Sequence, residues 1–148
     1  MKVVVFLQNA WSPRYAGKVW PRKSWLCALA KSRSGQRLTN LIDDFDLCEN
    51  TTLHVGSTAS SIIEPDENHI ISVLQERKPD IIIACGIQAT KALTLVWNGP
   101  LISVPHPAHR LVTNALYHEA RAYIETGAFG RVRFRQMKGK IIREEIKL

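Results

Sequence analysis

Two stretches of this chain carry a buried run into a short polar turn. "VVVFLQNAWSP" (Val3 to Pro13) passes from β-branched residues into Gln8, Asn9 and Trp11, and "LISVPHPAHR" (Leu101 to Arg110) passes into Pro105, His106 and Pro107. The shared design makes the two turns one expected site. His106, held between prolines, is its natural hydrogen-bond donor, because a neutral imidazole donates from one nitrogen and accepts at the other. Gln8 and Asn9 offer amides, which orient a water molecule but cannot take its proton. No carboxylate stands at either position to act as a base. Plain structural readings stand beside these: a histidine can close a strand end, and Asn favours turns on its own account.

The elements that would hold these turns alternate along the chain. Val3–Leu7 is a continuous apolar run, the pattern of a strand covered on both faces, and Ser24–Ala30 then has apolar residues at helical spacing. Gln36–Ile42 adds a helical turn or two, and Thr52–Val55 reads as a weaker strand between Asn50 and Gly56. Asp66 is positioned to cap a helix through about Glu76, with Ile70, Ile71 and Leu74 on one face, ended by Lys78-Pro79. "DIIIACG" is a second fully apolar strand, Ile87–Leu95 the next helix and "GPLISV" another strand. Thr113 caps a long helix through Ile124 that stops at Gly127. Strands alternating with helices predict a three-layer α-β-α fold around a mostly parallel four-stranded sheet. Ligands in such sheets bind outside the carboxyl ends of the strands, where both polar turns would lie. "GRVRFRQMKGKIIREEIKL" departs from the alternation and suits a β-hairpin turning at Lys138-Gly139, or a basic arm. The expected organisation is one domain over 1–130 with a basic extension, 131–148, packed on or flanking it.

The length of 148 residues and 45% apolar content suit one domain with a real core. No run of eighteen apolar residues occurs, and Met1 precedes a short strand, so the default expectation is a soluble cytoplasmic protein without a membrane segment. Cys27, Cys48 and Cys85 form no C-x-x-C pair and are odd in number, against a disulfide framework, a zinc knuckle or an iron–sulfur cluster. Neither metal nor organic cofactor is implied. Residues 1–40 carry eight Lys/Arg and no Asp/Glu, 41–130 carry five against eleven, and 131–148 carry seven against two. Two basic ends around an acidic middle point to a polyanion, nucleic acid above all, with plain solubility as the alternative.

"FLQNAWSP", "IIIACGIQATKAL" and "VPHPAHR", in this order, resemble the uracil-DNA glycosylase superfamily over about Val3 to Ile124. Members carry a first motif of the type G-Q-D-P-Y-H, G-x-N-P-G or G-E-x-P-G and a second of the type H-P-S or N-P-S. The resemblance implies hydrolysis of the N-glycosidic bond of uracil or a modified pyrimidine flipped out of DNA, single- or double-stranded. A base inside a duplex is out of reach, so such an enzyme extrudes it into a pocket that reads its polar edge. By resemblance, His106 contacts a carbonyl oxygen of the departing base, and Asn9 positions the attacking water. Gln8, Trp20 and Asn50 would bind the base, Trp20 by stacking, worth about 1–3 kcal/mol. Arg22 and Lys23 would grip phosphate, and Arg110 and Leu111 would enter the minor groove, Leu111 filling the gap in the stack. Leu111 could equally staple the following helix, and Trp20 could equally pack in the core. The chain also departs from the family pattern: Leu7 replaces glycine, Ala10 replaces proline and the first motif lacks a carboxylate. Two other readings therefore stand beside the enzyme: a nucleic-acid-binding homologue that kept the fold and lost the chemistry, and an enzyme on free nucleotides.

Overall fold

In the computed structural model of the chain, residues 2–7, 19–20, 33–42, 46–48, 51–55, 62–109, 111–127 and 130–146 are described. Strand β1 (Val3–Phe6) is buried at every position, as its β-branched run requires. Then follow β2 (Val19–Trp20), α1 (Arg33–Leu41), β3 (Asp46–Cys48), β4 (Thr52–Val55), β5 (Ile62–Pro65) and α2 (Glu67–Arg77). The second half holds β6 (Ile81–Cys85), α3 (Ile87–Thr94), β7 (Leu101–Val104), α4 (Asn114–Glu125), β8 (Arg131–Met137) and β9 (Lys140–Glu145). The helix expected at Ser24–Ala30 lies outside the described residues.

Among the described residues the main sheet has seven strands in the order β2-β3-β1-β6-β7-β8-β9. The five from β3 to β8 run parallel, and β2 and β9 close the edges antiparallel. It is wider than the four strands that the alternation accounts for, for two reasons. The strand beside β1 is three-residue β3, too short to show a pattern, while Thr52–Val55 pairs with β5 in a separate two-stranded sheet. The basic C-terminal segment is part of the sheet: β8 pairs with β7, and Phe134 is buried in the core.

Alternate residues of the central strands pack opposite ways, which makes three layers. Val5, Ile83 and Ile102 meet Leu38 and Leu41 of α1 and Leu116, Tyr117 and Ile124 of α4. Val4, Phe6, Ile82 and Ala84 meet Ile70 and Val73 of α2 and Ala89, Ala92 and Leu93 of α3. Each such large side chain contributes about 1.5–3 kcal/mol by leaving water. On α2 the buried face runs through Ile70 and Val73; Ile71, expected there, is 39% exposed because the next residue on a helix points about 100° away. Asp66 caps α2 by accepting from the His69 amide at 3.3 Å, and Lys78 ends it in the left-handed region before Pro79. The order of strands reverses at β1, so the chain's switch point lies between the carboxyl ends of β1 and β6. That edge also receives the turn after β7.

Candidate functional site

At the carboxyl end of β7 the chain leaves the sheet through Pro105, His106 and Pro107, and a set of hydrogen bonds fixes its path. The Gly86 amide, just beyond β6, donates to the Val104 carbonyl at 2.7 Å. Gly86 has φ of 100°, a backbone conformation that favours glycine, while a Cβ there would make only ordinary contact with that of His106 at 3.6 Å. Thr90 donates to the Gly86 carbonyl at 2.8 Å and lies 2.6 Å from the hydroxyl of buried Ser103. Across the loop, the Tyr117 hydroxyl donates to the Pro105 carbonyl at 2.9 Å, and the His109 amide donates to the His106 carbonyl at 2.9 Å.

The His106 ring is defined as well as its backbone. Its Nδ1 accepts from the Ala108 amide at 3.1 Å, so in the neutral imidazole the proton sits on Nε2. Burial pushes the His106 imidazole below its ordinary value, and neighbouring His109 pushes it the same way. A neutral Nε2–H donor at the carboxyl edge is therefore the ring's state at pH 7. His109 is held alike, its Nδ1 accepting from the Leu111 amide at 3.3 Å.

Arg37, which the sequence marked only as one more basic residue, is the main clamp of this loop. It is 2% exposed on α1. Its guanidinium donates to the carbonyls of Pro107 at 3.0 Å and His109 at 2.7 Å, to that of Val112, and to Asn114 Oδ1 at 3.2 Å. It also lies 5.4 Å from the centre of the Tyr117 ring. A buried charge is tolerated when its donors are met by oxygen atoms, and here most of those oxygens belong to 107–112. The sequence holds no local signal for this, since the partners stand 70 or more residues away. Thr51 does a related task at β1: its hydroxyl donates to the Leu7 carbonyl at 2.8 Å.

Beside the loop opens a cleft of about 500 Å³ lined by His106, His109, Leu111, Arg133, Arg135 and Lys138, among others. Among the described residues lining it there is no Asp or Glu. Its outer wall is the β8–β9 ribbon, which pairs with β7 only as far as Arg133 and then projects beyond it. Lys138 and Gly139, both at positive φ, make the tight turn at its tip. Gln136 ties the ribbon back, its Oε1 accepting from the Thr113 amide at 3.0 Å and hydroxyl at 3.3 Å. Thr113 stands at the start of α4 as expected, but its side chain makes no bond to the helix.

Of the residues singled out from sequence, His106 and Leu111 meet at this cleft, and Leu111 is 83% exposed, so it does not staple α4. Trp20 lies in edge strand β2 with its backbone opposite Leu47 of β3. Gln8, Asn9, Arg22, Lys23, Asn50 and Arg110 lie outside the described residues. Cys85 is buried in β6, where burial pushes its thiol far up and leaves it unreactive. Among the described residues no three His, Cys, Asp or Glu side chains gather as a metal site, and no helix is long and apolar enough to cross a membrane. Compared with family models, curated proteins and solved structures, the chain matches none.

Proposed function

We propose that the chain is a DNA glycosylase-like protein that hydrolyses the N-glycosidic bond of uracil or a modified pyrimidine flipped out of DNA. The observation that carries this reading is His106: a neutral imidazole, proton on Nε2, clamped at the carboxyl edge of a parallel sheet. When the bond between the sugar C1′ and the base nitrogen breaks, the electron pair leaves with the base. A fixed donor facing a carbonyl oxygen of that base stabilises the developing charge, and needs no reorganisation to do so. Water then bonds to C1′, and its proton passes through solvent to the departed base anion, with Asn9 in the role of orienting the water.

A second reading, a DNA-binding homologue without the chemistry, is favoured by one specific feature. No carboxylate stands at Gln8 or Asn9 or among the described residues lining the cleft, so no acidic side chain there takes the water's proton. The two are separated by His106→Ala and Asn9→Ala. On the enzyme reading each lowers excision by about a hundredfold or more while DNA affinity holds. Excision unchanged in both variants removes the assigned site.

A further inference from the structure

We propose that the cleft between the His106 loop and the β8–β9 ribbon is a binding site for a nucleotide phosphate, held by Arg133, Arg135 and Lys138. This goes beyond base excision, since it requires no bond to break. The cleft volume of about 500 Å³ suits a small organic ligand, and its lining charge is of one sign. Glu144, opposite Arg133 on the same face of the ribbon, lies 3.0 Å from Arg135 Nε and 3.9 Å from Arg133 Nη1. One carboxylate thus orders two guanidinium groups and, with Lys138, leaves three cations against it. Both arginines keep more than a third of their side-chain surface in solvent, so they remain open to a ligand. Guanidinium forks match phosphate oxygens in pairs, and a cleft of one sign focuses the field on an anion.

The rest of the lining suits a nucleotide better than a bare ion. Leu111 is 83% and Ile87 56% exposed, two apolar side chains at the mouth that offer a base face something to lie on. Gln88, Gln136 and the two histidines add polar groups around them. The ribbon extends past the carboxyl end of β7, so Arg133 and Lys138 line one cleft together with Ile87 and Gln88, which follow β6. The shared chemistry is a phosphate ester, carried either by a DNA strand or by a free nucleotide.

The test is fluorescence anisotropy of the full chain with labelled oligothymidylate, which holds no uracil, over a series of salt concentrations. Each phosphate contact on a single strand contributes about 0.7 to the slope of log affinity against log salt. The double variant Arg133→Gln, Lys138→Gln should lose about 1.4 from that slope. Lys2→Gln, which removes one positive charge at the amino end of the interior strand β1, away from the carboxyl edge that holds the cleft, should lose nothing. Lys138→Glu at the exposed tip should weaken binding further without touching the packing of Arg133. Competition by thymidine monophosphate at equal phosphate concentration assigns the site to free nucleotides; resistance to it assigns the site to a strand. A wild-type slope in the double variant, or an equal loss in Lys2→Gln, overturns the proposal. Because the probe carries no uracil, a failed phosphate site and a failed excision reading show in different assays.

Discussion

His106 has its ring state set by one hydrogen bond and by burial, and both effects are measurable. The Ala108 amide occupies Nδ1, and burial disfavours the charged form. Nitrogen NMR should show the Nε2-protonated tautomer at neutral pH. The unfolded chain takes up a proton near pH 6.5, whereas folded His106 does so only at lower pH. Its contribution to stability is therefore complete above about pH 6.5 and lost as pH falls from there through the folded value. His106→Gln should flatten that part of the stability profile, and an unchanged profile would show that the ring is not buried as described. Arg37 offers a sharper contrast. Arg37→Met keeps the side-chain bulk but takes the guanidinium from the carbonyls of Pro107, His109 and Val112, leaving that of His109 only the Val112 amide at 3.4 Å, at a cost on the order of 3 kcal/mol. Chemical denaturation measures it, and a loss under about 0.5 kcal/mol, the range of ordinary surface changes, would mean that Arg37 does not hold the loop. Leu111→Ala should leave stability within about 0.5 kcal/mol, since its side chain is exposed, yet impair excision from duplex more than from single strands. Equal impairment on both substrates would remove the intercalating role.

The β8–β9 ribbon changes how its own charge is tested. Read as a basic extension, 131–148 could be cut away; as part of the sheet, it cannot. β8 supplies a parallel strand beside β7 and buries Phe134 against the α1 and α4 layer. Deleting 131–148 should therefore unfold or aggregate the chain, shown by loss of the cooperative melt. A truncated chain that melts like the full one would mean that β8 does not complete the core. Pattern reading found the hairpin turn at Lys138-Gly139, because a glycine between two alternating runs marks a turn where positive φ is needed. It did not find that the ribbon joins the sheet, since "RVRFR" alternates basic and apolar residues as an exposed ribbon does. The face that carries Arg131, Arg133 and Arg135 is only partly buried, and Arg131 Nη1 is held by the carbonyls of Trp97 and Gly99. For the same reason the three-residue β3 escaped notice: its partner, not its own sequence, makes it a strand.

For the molecule as a whole, the fully apolar strands β1, β6 and β7 and the caps at Asp66 and Lys78 were legible, because burial on both faces and helix ends leave local signatures. His106 was legible as a proline-braced polar residue at a strand's end. Its clamp was not: Arg37 counts in the sequence as one of eight basic residues in 1–40, yet it is buried and adds nothing to a positive surface. Net charge by segment therefore overstates the basic face of the first forty residues, and the cations lining the described cleft come from the C-terminal ribbon. What the fold then offers is a neutral donor at the carboxyl edge, with a basic wall beside it. Whether that donor serves bond cleavage is decided by incubating the wild-type chain with oligonucleotides holding uracil, mismatched pyrimidines or hydroxymethylated pyrimidines, and then treating them with alkali. The expected result is strand breaks at one class of modified base, only with the protein present and lost in His106→Ala. Intact strands with every substrate, from a chain that still binds them, would leave a DNA-binding protein and not an enzyme.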